Sequence, residues 1–143
     1  MYRTILVPLD NTKTDETILT HVRPLARHMG ASLVLVHVAD GFAARNQDAL
    51  NLQDSPEMDD DRAYLSRRRG ELASEGFTVI SALEKGDPAI GILAVATREK
   101  VDLIAMATHG HGLIGDLIRG SVAEKLRHRT DLPILMIREC KQV

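Results

Sequence analysis

The chain has 143 residues, and its 18 basic and 20 acidic side chains give a formal net charge of −2. This near balance provides no electrostatic basis for binding nucleic acid, and an aromatic content of 3% without tryptophan argues against a stacking platform for single strands. Its one cysteine, Cys140, excludes a disulfide framework within the chain and a four-cysteine zinc site.

Length and hydropathy predict one domain without a membrane anchor. Single domains commonly span about 100–200 residues, so residues 1–143 fit one domain with a core of its own. No apolar run approaches the roughly 18 residues that a membrane-spanning helix needs. The apolar stretch at the N-terminus is too short for a signal peptide and continues into a strand pattern, so we expect a cytoplasmic protein.

The first part of the chain alternates apolar runs with a helical pattern. Residues 4–8 and 32–38 are short runs rich in β-branched side chains, which is typical of buried parallel strands. Between them, apolar residues recur at three and four positions over 14–29, which predicts a helix that ends at Gly30. Residues 39–58 show no period, and we expect a loop there.

A charged helix is expected over residues 58–75. Three aspartates, at 59–61, lie in its first turn, and three arginines follow at 67–69. The simplest interpretation is a solvated helix whose charges match its dipole. Binding of a phosphate by the arginines is the alternative.

The second half of the chain continues the alternation. Residues 77–83 and 101–106 are expected to be strands, and between them Asp87 is expected to cap a helix that has a proline at its first position. The last strand begins at Pro133 and ends at Ile137.

Strands therefore alternate with helices along the whole chain. This order predicts an α/β fold, an open doubly wound sheet of five parallel strands with helices on both faces. With the strand order 3-2-1-4-5, the winding direction reverses between the first and fourth strands, and ligands of such sheets bind outside the strand ends at that place. The loops after these two strands begin near Asp10 and Ala107, so we expect a ligand between them.

Residues 107–121 are the most glycine-rich part of the chain. Glycines let backbone N–H groups approach an anion closely, and Gly120 and Ser121 are expected to open a helix whose N-terminus attracts phosphate. Ser121 and Glu124 also match a capping box, which needs no ligand. Both interpretations stay open, because a cap hydroxyl can also turn to a phosphate.

Two other motifs in this region are weaker evidence for a ligand. Residues 110–115 spell G-x-G-x-x-G, but they follow the fourth strand rather than the first, and Glu139 is only loosely placed to bind a ribose, so NAD or FAD is a weaker interpretation. His109 and His111 could hold a metal, but no third ligand has suitable spacing, so we expect no protein-held metal. No arrangement of nucleophile, base and acid stands out, and we assign no catalytic residue.

The remaining histidines favour structural roles. His37 lies on an apolar strand, where a histidine is more often a satisfied core residue than a ligand. His21, His28 and His128 fall on expected helices, and we predict that they are surface residues.

The chain resembles the universal stress protein family over nearly its whole length. The resemblance is carried by residues 5–10, 35–38, 86–89, 101–110, 120–125 and 133–137. Nucleotide-binding members of that family carry G-x2-G-x9-G-[ST]. Here Gly110, Gly120 and Ser121 keep the spacing, and Ala107 replaces the first glycine.

The resemblance implies a stress-response or signalling module that binds ATP, with Mg²⁺ carried by the phosphates of the nucleotide. The site residues that it implies are Gly110, Gly120, Ser121 and Val122 for the phosphates, Met106 and His109 for the ribose and phosphate edge, and Pro8, Leu9, Asp10 and Val38 for the adenosine. Ala107, in place of the first motif glycine, completes the set. A carboxylate can accept both ribose hydroxyls, which suits Asp10 on chemical grounds.

Two alternatives follow from the departure at Ala107 and from the chemistry of ATP. Alanine fails at this position only if the backbone needs a positive φ or leaves no room for a methyl group. In that case the protein is a dimeric adaptor that works without a nucleotide. A slow ATPase is the other alternative.

The last strand predicts a homodimer. In the order 3-2-1-4-5 it lies at an edge of the sheet, and residues 133–137 are apolar and uncharged. Such an edge normally pairs with another chain or is covered. Pairing across a two-fold axis gives a dimer with a continuous sheet, which the family resemblance also implies.

Overall fold

A computed structural model of the chain describes residues 1–39, 56–108 and 114–139, with residues 56, 57 and 114–121 described by their backbone alone. Strands and helices alternate throughout these residues. The strands are β1 (Thr4–Pro8), β2 (Ser32–Ala39), β3 (Val79–Lys85), β4 (Leu103–Thr108) and β5 (Ile134–Arg138). The helices are α1 (Thr14–Met29), α2 (Pro56–Ser74), α3 (Pro88–Arg98) and α4 (Ile114–Arg129).

The five strands form one parallel sheet in the order β3-β2-β1-β4-β5. The predicted fold class and the predicted order 3-2-1-4-5 are therefore confirmed. β1 lies at the centre, paired with β2 on one side and β4 on the other. The winding direction reverses between β1 and β4, so this is the place where a crevice opens at the carboxyl ends of the strands.

Successive residues of each central strand enter two different cores. Ile5 and Val7 of β1 pack on the side of α1 and α2, whereas Leu6 packs on the side of α3 and α4. All three side chains are fully buried. A strand that is covered on both faces must be apolar at every position, which explains the unbroken apolar runs in the sequence.

Two helix ends are formed as the sequence predicts. Gly30 ends α1 with φ +64°, and the N–H of Ala31 donates to the Ala26 carbonyl at 2.9 Å. A left-handed residue at this position favours glycine because it has no Cβ. Asp87 caps α3, and its Oδ1 accepts the N–H of Ile90 at 3.0 Å.

None of the helices among residues 1–39, 56–108 and 114–139 combines the length and the apolar character needed to cross a membrane. Each helix packs against the sheet along one side. The side chains that α1 and α2 expose are mostly polar, whereas α3 also exposes Ile90.

Several predicted boundaries were wrong. β3 and β4 each begin and end two residues later than expected, and α2 begins at Pro56 rather than at residue 58. The rest of the predicted loop, residues 40–55, lies outside the described residues. Pairing with the neighbouring strand sets a strand's start, and Val79 is the first residue of β3 that is paired in register with β2.

The predicted start of the last helix was also wrong. α4 begins at Ile114, so Gly120 and Ser121 lie inside a helix and not at its N-terminus. A single glycine costs a helix only about 1 kcal/mol, and the helix therefore continues through Gly115 and Gly120. The capping-box interpretation of Ser121 fails with this boundary, because the N–H groups of a helix interior bond within the helix.

Gly91 allows α3 to lie close to the sheet. A Cβ added there would be 3.0 Å from Cγ2 of Val38 and 3.3 Å from Cβ of Glu84. Gly70 on α2 has no such neighbour within 4 Å and is exposed. The two glycines therefore allow a matched comparison of the same substitution in two helices.

We expect Gly70→Ala to raise the free energy of unfolding by about 0.5–1 kcal/mol, because alanine is the better helix former. We expect Gly91→Ala to lower it by about 1 kcal/mol or more, because overpacking against Val38 outweighs the same helical gain. Urea unfolding of both variants measures the difference. An equal gain at both positions would contradict the close packing of α3.

Candidate functional site

The predicted adenosine residues and the predicted β4 residues meet at one end of the sheet. Pro8 ends β1 beside Val36 of β2, and the N–H of buried Leu9 donates to the Val36 carbonyl at 2.8 Å. Asp10 follows directly and is half-buried. Three further predicted residues lie at the same end of the neighbouring strands: Val38 on β2, and Met106 and Ala107 on β4.

The predicted phosphate residues are only partly described. His109 and Gly110 lie outside the described residues. Gly120 and Ser121 belong to α4, and half-buried Val122 packs against the core on the side of α3 and α4. The described side chains of the predicted site therefore belong mainly to its nucleoside half.

A buried carboxylate, Asp15, holds the loop that carries Asp10. Asp15 lies in the first turn of α1 and is only 1% exposed. Its Oδ1 accepts the N–H of Asp10 at 3.0 Å, and its Oδ2 accepts the N–H of Asn11 at 2.8 Å. Asn11 has φ +63°, a left-handed conformation that asparagine adopts more readily than most residues.

A third donor to Asp15 comes from a distant part of the chain. The hydroxyl of Tyr64, on α2, donates to Asp15 Oδ2 at 2.5 Å. Arg68, one turn further along α2, donates to the Tyr64 oxygen at 3.1 Å and to Glu16 at 2.8 Å. The loop after β1 is thus tied through Asp15 to α2.

Burial raises the pKa of the Asp15 carboxyl from its ordinary value of 3.8 to about 6. The hydrogen bond from Tyr64 opposes this shift in the pKa, and the nearby Asp10 carboxylate adds to it. Burial and the bond to Asp15 also raise the pKa of the Tyr64 hydroxyl, so this hydroxyl keeps its proton and remains a donor.

A second chain of contacts reaches the same loop through His37. Its Nδ1 lies 2.7 Å from the Leu9 carbonyl oxygen, and its Nε2 lies 3.0 Å from Oδ2 of Asp61 on α2. Both neighbours are acceptors, so both contacts are hydrogen bonds only when each ring nitrogen carries a proton. The prediction of a satisfied structural histidine is confirmed at His37.

The interpretation of α2 as a solvated charged helix was wrong for two of its residues. The side chains of Asp61 and Arg68 are only 19% and 17% exposed, and each bonds to a residue of another element. Sequence reasoning missed Asp15, Tyr64 and Arg68 as parts of the site. The one available signal was the position of Tyr64 as the only tyrosine of a charged helix. The surface prediction for His21, His28 and His128 is confirmed.

Within the described part of the chain, no three histidine, cysteine or acidic side chains converge in a way that could hold a metal ion. His109 and His111 lie outside that part. Glu139, considered above as a ribose ligand, instead accepts a hydrogen bond from the Thr14 hydroxyl at 3.2 Å.

Comparison with known proteins identifies the family of this chain. The model of the universal stress protein family matches residues 1–138. The chain belongs to the universal stress protein family. Universal stress protein MJ0577 of Methanocaldococcus jannaschii is 26% identical over 155 residues, with 96% of each chain covered. The family predicted from the strand-end and glycine motifs is therefore confirmed.

Solved structures share the fold. A structure of MJ0577 is 25% identical, covers 99% of both chains and superposes with a TM-score of 0.81. A universal stress protein solved in complex with cAMP is 17% identical over 95% of this chain and 98% of its own, with a TM-score of 0.71. One from Archaeoglobus fulgidus in complex with dAMP is 19% identical over 95% and 98%, with a TM-score of 0.69.

The raised pKa of Asp15 predicts an unusual dependence of stability on pH. The folded chain holds this proton more tightly than the unfolded chain, so the stability linked to it is complete below about pH 4 and is lost as the pH rises through about 6. We expect wild type to lose up to about 3 kcal/mol relative to Asp15→Asn over this interval.

Urea unfolding of wild type and Asp15→Asn between pH 4 and pH 7 measures this difference. Asparagine loses part of the hydrogen bonding, so the variant is expected to be less stable overall, and the readout is the slope with pH. Subtracting the two curves removes the contribution of every other carboxylate. Parallel curves would contradict a raised pKa at Asp15.

Proposed function

We propose that this universal stress protein binds an adenine nucleotide, ATP with Mg²⁺ carried on its phosphates, where β1 and β4 part. The observation that carries the proposal is the position of Asp10. This half-buried carboxylate follows the central strand at the point where the winding direction reverses. The cAMP and dAMP complexes of two proteins with the same fold support an adenine nucleotide as the ligand.

The adenosine lies against the ends of β1 and β2 in this proposal. Pro8, Leu9 and Val38 supply an apolar wall, and Asp10 accepts the ribose hydroxyls. Asp10 Oδ1 already accepts a bond from the Thr12 hydroxyl at 2.6 Å, so ribose binding adds to or replaces this contact. A carboxylate that accepts both hydroxyls favours ATP over nucleotides that lack one free hydroxyl, as dAMP and cAMP do.

The phosphates lie toward Met106, Ala107, His109, Gly110, Gly120, Ser121 and Val122 in this proposal. Ala107 has ordinary strand backbone, paired in register with Ile137, and its methyl group packs in the core on the side of α1 and α2. Ala107 therefore needs no positive φ and has room for its methyl group. Neither of the two conditions that would favour a nucleotide-independent adaptor is met. Because Gly120 and Ser121 lie inside α4, phosphate contact with their N–H groups requires α4 to open there.

We expect wild type to bind ATP in the presence of Mg²⁺, and Asp10→Ala to weaken binding by about tenfold to a hundredfold, because two hydrogen bonds to a charged group are lost. Isothermal titration with ATP, dATP and cAMP measures the affinities. The preference of wild type for ATP over dATP should disappear in Asp10→Ala.

Asp60→Ala is the matched control, since Asp60 is an exposed aspartate of α2. Equal affinities of the Asp10 and Asp60 variants for ATP would remove Asp10 from the site. No binding of any of the three nucleotides to wild type would overturn the proposal and favour the adaptor. Phosphate release in the same samples separates a binding protein from a slow ATPase.

We also propose that the protein forms a homodimer through β5. Among the described strands β5 lies at the edge next to β4, and Met136 is 38% exposed there. An open depression of about 500 Å³ runs along this edge, lined by Arg127, Thr130, Leu132, Ile134 and Met136. An apolar edge strand that is left uncovered favours pairing with a second copy.

We expect Met136→Lys to shift the protein from dimer to monomer, because it places a charge in the centre of the paired edge. Sedimentation velocity over a range of concentrations measures the shift. Ile80→Lys is the matched control, since Ile80 is 42% exposed on β3 at the opposite edge. Dissociation by Ile80→Lys alone would place the interface on β3 instead.

A further inference from the structure

Two residues of α2, Asp61 and Tyr64, face the same loop. They are three positions apart and therefore lie on one side of the helix. Asp61 reaches the loop through His37, and Tyr64 reaches it through Asp15. The loop in question follows β1 and consists of Leu9, Asp10 and Asn11.

The two contacts hold different atoms of the loop. His37 bonds to the carbonyl of Leu9, whereas Asp15 accepts the N–H groups of Asp10 and Asn11. Side chains therefore contact the backbone of three consecutive residues: His37 at Leu9, and Asp15 at Asp10 and Asn11. Asp15 in turn accepts a bond from Tyr64 of α2, and His37 Nε2 lies 3.0 Å from Asp61 of α2.

The position of α2 over the sheet explains why its polar contacts with the loop matter. The buried side chains of α2 lie chiefly over β3 and β2, and they share a core with Val7 and Leu9. The hydrogen-bonded contacts between α2 and the end of β1 are made by polar side chains. Those side chains are shielded from water, since Asp15 and Tyr64 are buried and His37 is 12% exposed, so the bonds are not weakened by solvent.

From this geometry we infer that Asp61 and Tyr64 are positioning residues for the loop of Leu9, Asp10 and Asn11, and that α2 thereby sets the affinity of the nucleoside site. The second clause rests on the proposed function. Neither residue touches the ligand. Asp61 acts through His37, and Tyr64 acts through Asp15, on the backbone of the loop that carries the Asp10 side chain.

Amide hydrogen exchange of the free protein, followed by NMR, tests the first clause without any ligand. We expect Tyr64→Phe to speed exchange at the Asp10 and Asn11 amides by about tenfold or more and to move their amide proton shifts, because Asp15 loses its third donor. We expect Asp61→Ala to move the shifts of the same loop, because it removes the side-chain partner of His37 Nε2. Exchange at Ile104 of β4 should remain unchanged in both.

Tyr2→Phe is the matched control, because it removes the hydroxyl of the only other tyrosine, just before the opposite end of β1. Unchanged loop amides in both α2 variants, or equal changes with Tyr2→Phe, would overturn the inference. These readouts stand even if wild type binds no nucleotide, so a failure of the proposed function is recognised separately.

Titration with ATP and Mg²⁺ tests the second clause. Where wild type binds, we expect Tyr64→Phe and Asp61→Ala each to weaken binding by about fivefold to tenfold, with Tyr2→Phe at the wild-type value. A double variant that is no weaker than the stronger single variant would show that the two contacts act on one loop. Wild-type affinity for ATP in variants whose loop amides have changed exchange rates or shifts would overturn the coupling of α2 to the site.

Discussion

Burial of β1 on both faces is the constraint on which the rest of the structure depends. Ile5, Leu6 and Val7 are completely inaccessible to solvent, and helices cover both sides of the strand. Because both faces of this strand are covered, functional groups can reach a ligand only at the end of the strand. Polar groups therefore concentrate at the carboxyl end of β1, beginning at Asp10, where the winding direction reverses beside β4.

The backbone of the loop after β1 has to be stabilised by side chains, because the hydrogen bonds of the sheet do not hold it. Asn11 has a positive φ, and the N–H groups of Asp10 and Asn11 lie outside the sheet ladder. Asp15, in the first turn of α1, accepts hydrogen bonds from both of these N–H groups. The cost is a carboxylate buried next to another carboxylate, which appears as its raised pKa. Tyr64 offsets part of that cost by donating a third bond.

The architecture could be predicted from the sequence because its signals are local. Five apolar runs separated by helical patterns permit few topologies other than a doubly wound sheet, and that topology places Asp10 and Ala107 at one end. The support of the site could not be predicted, because Tyr64 and Asp15 are 49 residues apart and meet only when α2 lies at a particular angle over the sheet. Arg68 resembled a surface charge because α2 has no strongly apolar face in its sequence.

The helix boundary of α4 shows where local patterns mislead. Gly120 and Ser121 match both a phosphate motif and a capping box, yet both lie inside a helix. Helical N–H groups are fully used, so a phosphate that recruits them must compete with the helix for the same donors. The loop after β1, in contrast, is held by protein contacts alone, from Asp15 and His37.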